Sequence, residues 1–461
     1  MAGRGHASNR MRAGRLVRPA RFSLCLALAA ATAMLPAAPV EAAAARYSSV
    51  AGGESVADFY AARGHQPLWL RDDGSSGEAA MLLLDYLRTA DADGLDPARF
   101  PTAHLEDALR AAWGGSPARL HRAEAMLSQA FVAYVRELKQ LPSGGVIWVD
   151  PQLQPKAPSA RQLLDAAAKA PSLERWMAEM RWMNPIYAGL RRAIVTGETG
   201  DADRHLLSLN LQRARALPSE GRYILVNATD ARLTAYEDGR VVDAMNVVVG
   251  KPKNPTPMMA AYIRFTSLNP YWYVPPDLAA ERIAPNVLKS GLNYLKTNGY
   301  QVMSDWHNDG APIDPATIDW QAVADGTKEV WLRQNPGPGN SMGAMKFMFP
   351  NSQGIYLHDT PQKALLTEAS RMFSGGCVRL EDAPRLARWL YGRPLHPDSS
   401  RPEQRVDLPE PVPVFITYLT VVPSGTELAT FPDVYGRDRD ELAMLGGRGP
   451  SISSAPSQAP R

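Results

Sequence analysis

Tyr223-Ile-Leu-Val226, Arg232-Leu-Thr-Ala-Tyr236 and Met245-Asn-Val-Val-Val249 decide the fold. Each run is short, rich in β-branched and aromatic residues, and bounded by turn signals, and Glu237-Asp-Gly239 predicts a hairpin between the second and third. Further strands are expected at Tyr262–Leu268, Glu329–Arg333, Lys346–Phe349, Gly354–His358 and Val414–Val421. Short strands at this spacing predict a mostly β domain, sandwich or barrel-like, over residues 221–430. The pattern breaks between Asn269 and Gly326. Asn269-Pro-Tyr-Trp-Tyr-Val-Pro-Pro276 precedes a predicted helix and then a polar loop, as expected of a helical lid insertion over about 270–325.

Upstream the period changes. In His121–Leu141, Leu127, Ala130, Phe131, Tyr134, Val135 and Leu138 recur at helical spacing. Helices are also predicted at Glu78–Ala90, Ala160–Ala170, Leu173–Met180, Pro185–Val195 and Ala202–Ala216. Turn signals at Gly74-Ser-Ser-Gly77, Leu141-Pro-Ser-Gly-Gly145 and Gly197-Glu-Thr-Gly200 separate them. The chain is therefore expected to be multidomain α+β. An all-helical supporting domain over 43–220 precedes the β domain, and a Gly-, Ser- and Pro-rich tail over 431–461 lacks fixed structure. A length of 461 residues suits two or three domains.

Residues 1–42 read as a cleaved secretory signal. Six arginines lead into the apolar run Phe22–Leu35, and Val40-Glu41-Ala42 fits a small-x-small cleavage site. The apolar run is shorter than the roughly 20 residues a membrane span needs. Export to the periplasm follows, with no permanent membrane span. The six arginines less Glu41 account for +5 of the net charge of +3, so the remainder carries about −2. That balance argues against a nucleic-acid partner. No metal-ligand cluster is evident.

Cysteine usage is the sharpest constraint. Of two cysteines, Cys25 lies in the signal, leaving Cys377 as the one thiol of the mature chain. An exported protein normally holds cysteines in pairs, so a lone one is either buried and inert or reactive. Its neighbours are Arg371-Met-Phe-Ser374-Gly-Gly-Cys377-Val-Arg-Leu380, downstream of Ile355-Tyr-Leu-His358-Asp-Thr-Pro361. The Gly-Gly pair allows a tight backbone path and close approach to a ligand. A helix predicted at Asp382–Leu390 and the charge of Arg379 should both lower the thiol pKa. A histidine facing the thiol can take its proton and return it to a leaving amine. Spacing alone does not establish that His358 and Cys377 meet.

Tyr356-Leu-His358-Asp-Thr-Pro361 followed by Ser374-Gly-Gly-Cys377-Val-Arg379 resembles the signature of L,D-transpeptidases with a YkuD-type catalytic domain. Val248-Val-Gly250-Lys251, Asn269-Pro-Tyr-Trp272, Arg333-Gln-Asn-Pro-Gly337 and Lys346-Phe347 resemble the large periplasmic subfamily typified by YcbB. Upstream, Pro67-Leu-Trp69, Gly94-Leu-Asp-Pro97 and Asn210-Leu-Gln-Arg-Ala-Arg215 do so too, and the likeness covers roughly 55–440 in order. The resemblance implies Cys377 as nucleophile, His358 as base and the N–H groups of Gly376 and Cys377 as an oxyanion site. Tyr356, Arg379, Ser374 and Gly375 would line the substrate groove, with Arg379 able to hold a carboxylate. The implied activity is 3→3 cross-linking of peptidoglycan: a Cys thioester forms on a tetrapeptide donor stem with release of D-Ala, and an amine of a second stem resolves it. No cofactor is implied. Peptidoglycan stem peptides are the implied partners, a cell-wall synthase or activator is a further kind, and carbapenems are the implied covalent inhibitors.

Two features depart from the family. The motif commonly reads Ser-His-Gly-Cys, where this chain has Ser374-Gly375-Gly376-Cys377, and no peptidoglycan-binding module fits between Tyr187 and Asn210. The same thiol chemistry also accommodates an L,D-carboxypeptidase, in which water resolves the thioester, or attachment of a protein to the stem. A non-catalytic peptidoglycan-binding scaffold is an alternative from another class, and a redox thiol, lacking a resolving cysteine, is the weakest.

Overall fold

The computed structural model describes residues 55–141, 145–200, 202–305, 310–398 and 400–446. The predicted signal segment, with Cys25, lies outside them. The helical half comprises Val56–Ala62, Glu78–Arg88, Thr102–Ala112, Pro117–Leu138, Ala160–Lys169, Leu173–Ala178, Pro185–Thr196 and Arg204–Ala214. Capping boxes start two of these, Ser55 with Asp58 and Ser159 with Gln162. The longest begins with proline at its first turn and buries Leu127, Phe131, Tyr134, Val135 and Leu138 on one stripe. That stripe packs against Trp69 and Trp182 in a single core. Two buried carboxylates are fully occupied. Glu124 accepts the N–H groups of Leu68, Trp69 and Leu70 at 2.7–2.9 Å. Asp93 pairs with Arg191 at 2.9 Å and accepts the hydroxyls of Tyr134 and Tyr187.

The strands are β1 (Ile147–Trp148), β2 (Arg222–Asn227), β3 (Arg232–Glu237), β4 (Arg240–Gly250), β5 (Met259–Leu268), β6 (Trp272–Val274), β7 (Tyr300–Met303), β8 (Trp331–Gln334), β9 (Met345–Met348), β10 (Leu357–His358), β11 (Met372–Ser374), β12 (Val378–Leu380), β13 (Gln404–Thr417), β14 (Val421–Ser424) and β15 (Glu427–Thr430). Hydrogen bonds run β5-β13-β2-β3-β4-β12-β10-β9, and β9 pairs back onto β5. The sheet therefore closes into a barrel, which removes the exposed edges an open sandwich would leave. Alternate residues fill its interior: Ile224 and Val226 of β2, Val247 and Val249 of β4, Phe347, Leu357 and Val378. The helix Ala383–Tyr391 adds Leu386, Ala387 and Leu390 to the same core.

β2 is buried on both faces. Tyr223 and Leu225 point outward into a second cluster with Tyr236 and Phe415, against which Trp148 and Ile186 pack. This is where the helical half meets the barrel. β1 belongs to the contact as well: it pairs parallel with the start of β5, through Ile147 and Met259, in a region expected to be helical support only.

Residues 272–334 form a unit with its own core of Trp272, Val274, Ile283, Val287, Trp320 and Leu332. The insertion carries the expected helices and, beside them, strands that were not expected. Short helices at Ala284–Ser290, Asn293–Thr297 and Trp320–Ala324 lie with a three-stranded sheet in the order β6-β8-β7, so the unit runs past 325 to Gln334. The expectation of a structureless tail over 431–461 is corrected for 431–446, and 447–461 lie outside the described residues. A helix spans Arg437–Gly446, and Asp438 is buried against Arg213 and Thr420. Polar composition concealed these specific pairs. Among the described residues no helix is long and apolar enough to cross a membrane, and none of their acidic, histidine or cysteine side chains cluster as a metal site.

Candidate active site

Strand register gathers the site. In β10, Leu357 pairs with Phe347 of β9 and Val378 of β12, and His358 pairs with Lys346 and Arg379. Side chains alternate faces along a strand, so one set must share a face. Leu357, Phe347 and Val378 enter the barrel core, while His358, Lys346 and Arg379 lie together on the outer face. The N–H of Val378 donates to Tyr356 O at 3.2 Å, carrying the ladder one step further and setting Tyr356 beside Cys377 on that same outer face.

These residues line a cavity of about 600 Å³ beneath the inserted unit, whose Tyr273 and Leu278 close the opposite wall. A cavity of similar size, about 570 Å³, lies where Tyr86, Arg191 and Gly239 meet, but neither cysteine nor histidine lines it.

His358 is 2 % exposed. Its Nδ1–H donates to Asp359 O at 2.5 Å, which leaves Nε2 with the lone pair a base requires. Burial first, and then the charge of Arg379, lowers its pKa to about 3. The imidazole is therefore neutral at neutral pH. Burial also pushes the Cys377 thiol above its ordinary value, against the opposing pull of Tyr356 hydrogen bonds and of the Arg379 and Lys346 charges. The expected net lowering of the thiol is thus corrected: desolvation outweighs the neighbouring cations. A second correction concerns the helix. Cys377 leads into β12, and the helix starts only at Ala383, so the predicted helix does not begin at the sulfur. The resting pair is a neutral thiol and a neutral imidazole, with the thiol donating to Gly354 O at 3.5 Å.

The remaining expected site residues differ in availability. Gly376 has φ of +124°, a conformation that favours glycine. Its N–H already donates to Ser374 Oγ at 3.0 Å, so Gly376 is not a free oxyanion donor and Ser374 is occupied within the loop. Gly375 is exposed, and a Cβ there would touch Leu278 at 3.4 Å, ordinary contact. Arg379 donates to Gln362 Oε1 at 2.8 Å, and its buried Nε has no hydrogen-bond partner. Tyr356 is half-buried beside the sulfur, and its hydroxyl is pushed well above its usual pKa by desolvation and by Cys377.

Lys346 was missed as a site residue. It is 7 % exposed, bonds Tyr271 O at 3.3 Å and Glu403 at 3.5 Å, and sits over the rings of Tyr273 and Tyr356. Its signal was the period of Met345-Lys-Phe347, which sets the lysine opposite a core phenylalanine. Leu278 and Gln362 carried no signal local to the motif.

Two family descriptions match this chain: a scaffold domain over residues 54–194 and an L,D-transpeptidase catalytic domain over 221–416. A Haemophilus influenzae protein provisionally named an L,D-transpeptidase is 28% identical over 401 residues, covering 83% of this chain and 78% of its own. Among solved structures, an L,D-transpeptidase from Mycobacterium smegmatis is 17% identical, covering 42% of this chain and 58% of its own, with a TM-score of 0.21. One from Enterococcus faecium is 14% identical, covering 43% and 50%, with a TM-score of 0.20. The chain thus spans about half the length of these solved relatives, and overlaps this weak add nothing to the fold derived above. Along the chain, the match to a scaffold domain thus precedes the match to an L,D-transpeptidase catalytic domain, in the order of the helical half and the barrel.

Proposed function

We propose that this protein is a peptidoglycan L,D-transpeptidase that works through a Cys377 thioester. The observation that carries the reading is the register of β9, β10 and β12, which brings an imidazole with a free Nε2, the thiol and two buried cations to one cavity. His358 Nε2 takes the thiol proton as sulfur attacks the carbonyl of the third stem residue, diaminopimelate. The proton passes to the nitrogen of D-Ala as the C–N bond breaks, leaving a thioester. An amine of a second stem attacks it, the C–S bond breaks and the thiol is restored, giving a 3→3 cross-link. The N–H of Cys377 is the oxyanion donor, and Arg379 meets a donor carboxylate. Export to the periplasm, where the substrate lies, follows from the sequence of residues 1–42.

A carbapenem tests the nucleophile directly, because its strained amide needs only the first half-reaction. Peptide mapping by mass spectrometry should find the adduct on Cys377. Replacing the base, His358→Gln, should slow adduct formation by about 10²–10⁴-fold. An unmodified Cys377 under these conditions would remove the reading.

A further inference from the structure

The C-terminal segment 432–446 reaches the catalytic loop through one continuous chain of hydrogen bonds. Tyr435 donates its hydroxyl to Gly250 O at 2.6 Å, and Arg437 donates to Thr256 O at 2.9 Å. Gly250 and Thr256 are the two ends of a tight turn. The N–H of Gly250 donates to Thr256 Oγ1 at 2.8 Å, and a Cβ on Gly250 would lie 2.1 Å from Asn254 O. Thr256, wholly buried, then donates its own hydroxyl to Gly376 O at 2.7 Å.

That last bond matters because a peptide unit is planar and trans. Fixing the Gly376 carbonyl fixes the plane it shares with the Cys377 N–H, which points the opposite way. Gly376, at φ of +124°, offers little resistance to a flip of this plane, so the orientation must be imposed from outside.

The segment is firmly seated. Arg437 lies over the rings of Tyr418 and Tyr435, at 5.0 and 5.2 Å. Tyr418 accepts the Tyr435 N–H at 2.9 Å, and Asp438 accepts from Thr420 at 2.6 Å while pairing with Arg213 of the helix Arg204–Ala214.

We infer that Thr256, Tyr435 and Arg437 are positioning residues: the C-terminal segment aims the Cys377 N–H at the oxyanion through Thr256. The inference rests on the reading of Cys377 as the acylated nucleophile.

Two thiol reactions separate aiming from general damage. Acylation by a carbapenem puts sulfur on a carbonyl carbon and breaks the amide C–N bond, with the thiol proton passing to that nitrogen; an oxyanion develops. Alkylation by iodoacetamide joins sulfur to a saturated carbon and expels iodide; none develops. Thr256→Val should slow acylation by about 10- to 100-fold, less than the roughly 10²–10³ for outright loss of one donor. Alkylation should change less than about 3-fold, and Thr256→Ser should restore acylation. Tyr435→Phe, one bond further out, should slow acylation by about 3- to 10-fold, the weight of a single hydrogen bond. Amide hydrogen exchange over 374–378 should speed up in both weakened variants, a readout that holds whether or not the thiol acylates. Equal slowing of acylation and alkylation, or unchanged exchange over 374–378, would overturn the inference. Failure of the unaltered protein to acylate would instead overturn the proposed function, while the exchange result still decides the positioning.

Discussion

Lowering the pH from 7 to 5 should destabilise the protein through His358 alone by about 2 kcal/mol. The imidazole is buried and neutral, with its pKa lowered to about 3 in the folded protein, whereas an unfolded histidine titrates near 6.5. Between these values the unfolded chain binds a proton that the folded chain refuses. Stability from this group is therefore intact above about pH 6.5 and is lost progressively as pH falls toward 3. Integrating proton binding from pH 7 to 5 gives about 2 kcal/mol, and the result hardly changes as long as the folded value stays below about 4. For a unit of this size that corresponds to about 4–8 °C in Tm. Thermal unfolding of the unaltered protein and of His358→Gln at both pH values isolates the effect, since every other titrating group is common to the two. The variant should lose about 4–8 °C less than the unaltered protein between pH 7 and 5. The same pH-dependent loss in both would refute a neutral buried imidazole. A functional corollary follows: acylation of the free enzyme should have no acid limb near pH 6.5, because the base is already unprotonated there.

Lys346→Met removes a charge that holds the thiol down against burial. The pH profile for alkylation of Cys377 should move to higher pH, and an unmoved profile would mean the ammonium is not felt at the sulfur. Arg191→Ala leaves the buried Asp93 carboxylate without its cation. Breaking such a pair costs about 3–5 kcal/mol, measurable by urea unfolding, and a loss below about 1 kcal/mol would contradict the pairing. Glu281→Gln loosens the ties from the inserted unit to Lys251, at 3.1 Å, and to Lys253. Exposed pairs contribute about 0–1 kcal/mol, so carbapenem acylation should change less than about 5-fold, and high salt should erase the difference; a larger change that persists in salt would assign Glu281 a role beyond tethering.

Much of the β half was legible because its pattern is local. The β-branched runs at 223–226, 232–236 and 245–249 became β2, β3 and the end of β4, joined by the expected hairpin. Barrel closure was not legible, since it depends on β9 meeting β5 across about 80 residues of chain. β12 was hidden because Val378-Arg-Leu380 is too short to display a period. In the site, residue types identified Cys377 and His358 as candidates, and pairing of His358 with Arg379 explains why they share a cavity. The sign of the thiol shift was misjudged from sequence, where Arg379 is visible and burial is not. Gly376 was misjudged for a similar reason: Ser374 Oγ takes its N–H only once the loop is folded. The tail was read from composition, which cannot reveal that Asp438 finds Arg213 more than two hundred residues away.

The most direct test of the central claim is mass spectrometry of disaccharide-tetrapeptide incubated with the purified protein and, in parallel, with Cys377→Ala. A cross-linked dimer lacking one D-Ala is expected from the unaltered protein and none from the variant. Dimer formation by Cys377→Ala would contradict the thioester mechanism, and tripeptide without dimer would contradict transpeptidation in favour of hydrolysis.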